Sequence, residues 1–298
     1  MISILIPIFN FDVRLLVAEL VEELAELGIT HEIRAYDDGS YFDFRIGNQR
    51  IAAYPHVIYR ELPENTGPAK LRNLLARDAQ FPLVLFIDSD TQCGNKQFIA
   101  KYLSRASEHK VLVGGVIFND EIPSDPQLTL HWQYGKVRHG VSIAKRNKRP
   151  YKYFTASNFL APKDLFEQVQ FDESPEARGH EDTLFAIALK KADFPLVQLE
   201  NPVQQLGLKT THHFIESSKT AVQNLAKLIR QGKIDKGVNL FKWYRRILRL
   251  GVLQLSFRKL DRNRNTYLNQ LYSHQPQIKN LEKLKLLWLI EALNPKTR

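Results

Sequence analysis

Three observations make this sequence an α/β fold built on a mostly parallel sheet with helices on both faces. Apolar runs of strand length alternate with segments of helical period through the first 118 residues. The runs are mostly apolar, as strands covered on both faces are. Polar and acidic clusters follow those runs directly, where open parallel sheets place their ligands. In order, residues 3–9 predict a buried strand that ends at Asn10. Residues 13–27 carry Leu16, Leu20, Leu24 and Leu27 at helical spacing, and Gly28 stops the helix. A second strand at 32–36 runs into Asp37-Asp38-Gly39-Ser40, and a third is expected at 57–61. The turn Glu64-Asn65-Thr66-Gly67-Pro68 precedes a helix at 69–79. A fourth strand at 83–87 ends on Asp88-Ser89-Asp90, followed by a helix at 98–107 and a fifth strand at 111–117. Residues 119–155 are polar, aromatic and basic; a helix is expected at 161–169. Gly179-His180-Glu181-Asp182 opens a helix through 191, a short strand falls at 196–199, and helices dominate from Phe214.

The composition is that of a globular chain: 44% hydrophobic and 25% charged residues exclude a disordered or collagen-like protein. One cysteine, Cys93, permits no intrachain disulfide and suits a reducing, cytoplasmic compartment. The net charge of +10 first suggests a polyanion partner, but its distribution is uneven. Residues 223–298 hold 17 Lys and Arg against four Asp and Glu, whereas the first 222 residues are slightly acidic at −3. No apolar run reaches the ~20 residues needed to span a bilayer. The chain is therefore expected to be soluble or monotopic.

Polar and acidic clusters at three strand ends carry the chemistry. Asp37-Asp38 ends the second strand and Asp88-x-Asp90 the fourth, close in topology to Phe9 and Asn10 at the end of the first. Carboxylates gathered in one crevice repel each other unless a cation shares it. Hard oxygen ligands suit Mg²⁺ or Mn²⁺, and an ion held by one or two carboxylates completes its shell with phosphate and water. That combination points to a nucleotide substrate. Each cluster alone is ordinary turn or helix-cap chemistry; their order and common placement give them weight.

In this order, Ser3-Ile-Leu-Ile-Pro7-Ile-Phe9-Asn10, Asp37-Asp38-Gly39-Ser40, Glu64-Asn65-Thr66-Gly67-Pro68-Ala69-x-x-Arg72-Asn73, Phe86-Ile87-Asp88-Ser89-Asp90 and Gly179-His180-Glu181-Asp182-Thr183-Leu184-Phe185 resemble the motifs of family 2 inverting glycosyltransferases of the GT-A fold, of the type that builds bacterial surface glycans. The resemblance covers roughly residues 1–215 and implies a catalytic domain there, with 119–155 as an acceptor-binding segment and 216–298 as a basic helical region. It implies that Phe9 packs on a nucleobase beside Pro7, that Asp38 reads the base edge, and that Asp88 contacts the ribose or the metal's water shell. Asp90 would hold Mn²⁺ or Mg²⁺, Asp182 would be the general base, and Glu181 would orient the acceptor or Asp182. The implied donor is a nucleotide-diphosphate sugar, a UDP-sugar first of all, and the implied acceptor a glycan or lipid-linked glycan of polysaccharide or lipopolysaccharide assembly. Direct inverting displacement needs a carboxylate base and no covalent nucleophile, in keeping with the acids present.

One position departs from the pattern. In Asn201-Pro202-Val203-Gln204-Gln205-Leu206-Gly207 a His is expected before Leu-Gly, and Gln205 stands there. Either the site tolerates the amide, or His212 or His213 substitutes, or metal binding is weakened. Trp132, Tyr134, Tyr151 and Phe154 are candidates to stack on sugar faces, each set against ordinary core packing. The segment 240–260 can place Phe241, Tyr244, Leu248, Val252 and Leu255 on one helical face among Lys and Arg, which suits either an anionic membrane surface, on the cytoplasmic face of a bacterial membrane, or a packed surface helix. No nucleic-acid module is present. A nucleotidyltransferase, or a nucleotide-sugar-binding protein without turnover, stands as the alternative.

Overall fold

The structure is a computed structural model that describes residues 1–106, 110–234 and 237–294. It divides into two compact units, one formed by residues 1–119, 139–173 and 185–207, the other by 120–138, 174–184 and 208–298.

The first unit contains β1 (Ile2–Ile8), α1 (Arg14–Leu27), β2 (His31–Asp37), α2 (Phe42–Asn48), β3 (Val57–Glu61), α3 (Pro68–Asp78), β4 (Leu83–Ile87), β5 (Thr91–Cys93), α4 (Phe98–Leu103), β6 (Val111–Val113) and β7 (Val116–Ile117). Helix α5 (Thr129–His139) belongs to the second unit except for its last residue. The first unit continues with α6 (Ile143–Asn147), β8 (Asn158–Pro162), α7 (Leu165–Gln168), the body of α8 (Glu181–Lys191), β9 (Leu196–Gln198) and β10 (Val203–Gln205).

Seven strands form one sheet in the order β3-β2-β1-β4-β8-β6-β9, and all its pairings are parallel except those of β8. All seven β1 residues are buried, as a central strand covered on both faces requires. Register pairs Pro7 with Tyr36 and Ile8 with Asp37, so the loops after β1 and β2 leave the sheet side by side. Five phenylalanines close one face: Phe171 stacks on Phe185 at 4.0 Å, Phe86 on Phe159 at 4.9 Å, and Phe166 on Phe185 at 5.9 Å. Aromatic pairs of this kind add to plain burial. A second, three-stranded sheet, β5-β10-β7, places Gln205 opposite Thr91.

Several expectations are corrected. The helix expected at 161–169 is the end of β8 followed by the single turn α7. Pro162 lacks a donor, but β8 meets β6 only at Phe159 and Leu160, so the missing N–H is not needed there. The strand expected at 111–117 is interrupted at Gly114-Gly115, where a Cβ on Gly114 would lie 2.1 Å from the Asn201 carbonyl oxygen. Helix α4 is shorter than the expected 98–107, whose last residue lies outside the described residues.

The second unit is helical beyond α5, with the first turn of α8, α9 (Thr211–Arg230), α10 (Asn239–Arg249), α11 (Leu253–Arg262), α12 (Arg264–Leu271) and α13 (Ile278–Leu293). Its centre is α13, which buries Leu281, Leu284, Leu287, Trp288, Leu289 and Ile290 and contacts α9, α10, α11 and α12. The units do not follow the linear boundary expected at residue 215: α9 runs unbroken through it, and 120–138 and 174–184 join the C-terminal helices. The expected acceptor segment 119–155 is thus divided between the units. Segment 240–260 is also not one helix, because Gly251 adopts φ +68° between α10 and α11.

Candidate functional site

The polar and acidic clusters lie at the carboxyl ends of β1, β2 and β4, and each is built into a loop by its own hydrogen bonds. Asn10, at φ 52°, donates its N–H to Ser40 Oγ (2.7 Å), and its side-chain oxygen accepts from Tyr41 N–H (2.8 Å). These bonds join the β1 and β2 exits and leave Phe9 beside them, 50% exposed. Buried Pro7 offers that place only its backbone.

Asp37 is fully buried; its Oδ1 accepts from Ser40 N–H (2.7 Å) and its Oδ2 from the Tyr59 hydroxyl (3.3 Å). Burial, and the charge of Asp37 second, push the Tyr59 phenol well above its ordinary pKa, so Tyr59 stays a donor. Asp38 is 2% exposed, and its oxygens accept from Thr66 N–H (2.8 Å), Thr66 Oγ1 (2.7 Å) and Gly67 N–H (2.9 Å). Asp38 therefore fixes the turn that starts α3, 28 residues away in sequence. Gly39, at φ +74°, permits the contact: a Cβ there would lie 2.9 Å from the backbone of Glu64 and Asn65.

Asp88 and Asp90 follow β4 and have different neighbours. Asp88 Oδ1 accepts from Arg72 at 2.5 Å. Arg72 is buried on α3 with its guanidinium 5.7 Å from the centre of the Phe171 ring. Asp90 Oδ2 accepts from the Gln205 amide at 2.7 Å, and the Asp90 carbonyl accepts from Leu206 and Gly207 N–H at 2.8 and 3.2 Å. A Cβ on Gly207 would meet Asp90 Oδ2 at 2.5 Å, so only glycine lets the chain wrap the carboxylate this closely. Gln205 thus sits against Asp90. His212 and His213 lie in the first turn of α9 in the second unit, near the Tyr272 hydroxyl (3.3 Å) and Thr210 Oγ1 (3.2 Å) respectively.

Glu181 and Asp182 are in the second unit, at the first turn of α8. That turn is moored to α9. His180 shares a 2.8 Å hydrogen bond with the Ala221 carbonyl, and Asn224 donates to the Arg178 carbonyl at 3.0 Å. Gly179 (φ +83°) approaches so closely that a Cβ would lie 2.9 Å from Ala221 Cβ. Glu181 accepts from Gly179 N–H at 2.8 Å. Burial holds the His180 pKa below the ordinary imidazole value. The folded state then binds fewer protons than the unfolded chain, so this contribution is present above the unfolded pKa of about 6.5 and is lost as pH falls below it. The thermal midpoint of the protein should fall between pH 7 and pH 5 by more than that of a His180→Gln variant; equal falls would remove His180 from the pH dependence.

The aromatic candidates separate as well. Phe154 packs in the core against Phe159 and Phe185, and the Tyr151 hydroxyl donates to the Phe194 carbonyl, so these two are structural. In the second unit Tyr134 lies beneath Lys285 and Arg138. Gln205, the departure in the expected metal position, is the partner of Asp90, whereas Arg72 as the partner of Asp88 and Tyr41, an exposed aromatic whose N–H donates to Asn10, were not among the expected site residues. The signal for Arg72 was a cation inside a motif otherwise rich in acids and turn formers.

A family model described as glycosyl transferase family 2 matches residues 3–169. No curated protein sequence matches the chain. Among solved structures, the mannosyltransferase PcManGT from Pyrobaculum calidifontis, in complex with GDP-Man and Mn²⁺, is similar at 16% identity and a TM-score of 0.57, over 99% of this chain and 87% of that one. S. aureus TarS 1-349 in complex with UDP is 17% identical with a TM-score of 0.51, over 99% of this chain and 90% of that one. Glucosyl-3-phosphoglycerate synthase from Mycobacterium tuberculosis, in complex with Mg²⁺ and UDP, is 14% identical with a TM-score of 0.51, over 80% of this chain and 82% of that one. The chain spans 42% of a longer TarS structure. At these identities the likeness is one of fold, the GT-A architecture that the ordered motifs imply. The family match takes in β1 to β8, with the exits of β1, β2 and β4, and covers more than half of the sequence; this chain is a member of glycosyl transferase family 2.

Proposed function

We propose that the chain transfers a single hexosyl or N-acetylhexosaminyl group from a nucleotide-diphosphate sugar, a UDP-sugar first of all, to a glycan or lipid-linked acceptor of bacterial surface-glycan assembly, with inversion at the anomeric carbon. The observation that carries this reading is the placement of the two β4-end acids: Asp88 accepts from the Arg72 guanidinium, and Asp90 Oδ2 accepts from the Gln205 amide where Gly207 lets the chain wrap the carboxylate. Asp88 and Arg72 form a neutralised pair able to meet a ribose hydroxyl. Asp90 presents hard oxygen to a divalent cation, and the Gln205 amide carries another oxygen donor beside it.

Among the described residues no group of three or more His, Cys, Asp or Glu is arranged to hold a metal. That donor set fits Mg²⁺ or Mn²⁺ held by one or two carboxylates with phosphate and water as the remaining ligands. When bound, such an ion stabilises the charge that develops on the leaving diphosphate. The solved relatives support the pairing, since PcManGT is in complex with GDP-Man and Mn²⁺ and the synthase with UDP and Mg²⁺. Phe9 covers one face of the base beside the Pro7 backbone, and Asp38 holds the turn that frames it. Asp182 accepts the proton of the acceptor hydroxyl as its oxygen bonds to the anomeric carbon and the bond from that carbon to the diphosphate oxygen breaks. Glu181 keeps the turn of Asp182 in place.

A donor that binds the folded state raises its stability by mass action, about 2.7 kcal/mol at 100 times the dissociation constant. For a chain of this size that is a rise of about 4 °C in thermal midpoint. A panel of UDP- and GDP-sugars with and without Mn²⁺ should show one such rise that requires the metal. No rise with any member would overturn the donor class. The binding-only alternative, which Gln205 at the metal position supports, predicts the same rise with no product. For a transferase, the anomeric configuration of the product, read by NMR, tests inversion.

A further inference from the structure

We infer that α10 and α11 form a docking face for an anionic lipid surface, an inference independent of the transfer chemistry. Each helix has already used an apolar face for folding: Tyr244 and Phe257 are buried, and both helices contact α13. The Tyr244 hydroxyl also accepts a hydrogen bond from Asn294 at 2.9 Å. A packed surface helix should then turn polar residues to water. These two instead expose Trp243 (57%), Leu250 (63%) and Leu255 (68%) on their outer sides.

The cations share that side. Trp243, Arg246 and Leu250 are spaced three and four residues apart on α10 and its last turn, with the Arg246 guanidinium 5.7 Å from the Trp243 ring centre. Leu255, Arg258, Lys259 and Arg262 follow the same spacing on α11. Residues 239–260 contain six Lys and Arg and no Asp or Glu. Helices that lie in a membrane interface have this composition: tryptophan and leucine enter the headgroup layer while Lys and Arg meet the lipid charge. Nucleic acid offers a poorer match, because exposed leucines gain nothing from phosphates and base stacking uses aromatic rings or guanidinium planes. A second copy of the chain would bring the same positive charge against itself. No helix of the described residues is long and apolar enough to cross a membrane, so the contact is with the surface.

The full chain should co-sediment with phosphatidylcholine vesicles containing 30% phosphatidylglycerol, and not with pure phosphatidylcholine; 0.5 M NaCl should release it. Brominated lipid should quench the fluorescence that a Trp243→Phe variant lacks. Each cation removed weakens binding about fivefold, so Arg246→Gln, Arg258→Gln and Lys259→Gln together should weaken it about 100-fold. Leu250→Ser with Leu255→Ser should reduce the quenching of Trp243 and also weaken binding. These side chains point outward, so circular dichroism and thermal midpoint should stay those of the parent and show that the variants fold. The inference is overturned by no binding to the anionic vesicles at low salt, or by binding that both variants retain. It is equally overturned if these residues instead govern dimerisation in sedimentation velocity, or binding to RNA or DNA, without lipid quenching.

Discussion

Asp182→Asn should lower the transfer rate by about 10²–10⁴-fold, the range of a lost general base, while donor affinity and thermal midpoint stay those of the parent. The substitution keeps the size and shape of the side chain, exchanges one acceptor oxygen for an amide donor, and removes its charge and its ability to take a proton. The turn is moored by bonds of the residues around Asp182: His180 to Ala221, Arg178 to Asn224, and Gly179 to Glu181. A large loss of rate on an intact fold therefore reports chemistry. Glu181→Gln gives the contrast, because an amide oxygen can still accept from Gly179 N–H; its rate should fall less than that of Asp182→Asn. Full activity in Asp182→Asn, measured as sugar transferred per enzyme at saturating donor, would remove the base assignment.

How far the sequence reveals such a site depends on the distance over which its parts interact. The strands β1 and β4 were legible because a strand covered on both faces is apolar at almost every position, and residues 2–8 and 83–87 have that pattern. The acids at strand ends were legible through topology, since the end of a parallel strand is where a ligand meets the sheet. β8 was not legible, because Phe159, Leu160, Phe166 and Val169 also fit a helical stripe, and only pairing with β4 and β6 makes the first two a strand. The second sheet was hidden for another reason: strands of two and three residues are too short to show any period. It is this sheet that brings Gln205 to Asp90, 115 residues earlier in the chain. Asp38 shows a third limit. Its acidity marked it as a candidate to touch a ligand, but its partners Thr66 and Gly67 lie in a loop whose fold becomes clear only in three dimensions. The basic tail was visible as charge alone. Which of its apolar residues face inward depended on Gly251 dividing it and on α13 receiving Tyr244 and Phe257.

Asp90→Ala should remove the metal-dependent part of nucleotide affinity. Calorimetric titration of the parent with UDP in Mn²⁺ and in EDTA should differ by at least about tenfold in dissociation constant, and the variant should show the EDTA value in both. Gln205 decides how large that difference is. Its amide donates to Asp90 Oδ2, so cation binding at this oxygen must displace or reorient the amide, a cost that a neutral imidazole, with a nitrogen lone pair to offer, would replace with a ligand bond. Gln205→His should accordingly tighten Mn²⁺ binding, seen directly by electron paramagnetic resonance of the free ion, in protein that has not met any donor. A variant that binds Mn²⁺ no better would show that Gln205 serves only to position Asp90. Gly207 supplies a test that separates geometry from ligation. Gly207→Ala keeps both side chains but places a methyl group 2.5 Å from Asp90 Oδ2, so it must turn the carboxylate aside. If Asp90 acts by direct contact with the cation, Gly207→Ala and Asp90→Ala should lose the same metal-dependent affinity, and their double variant should lose no more than either alone.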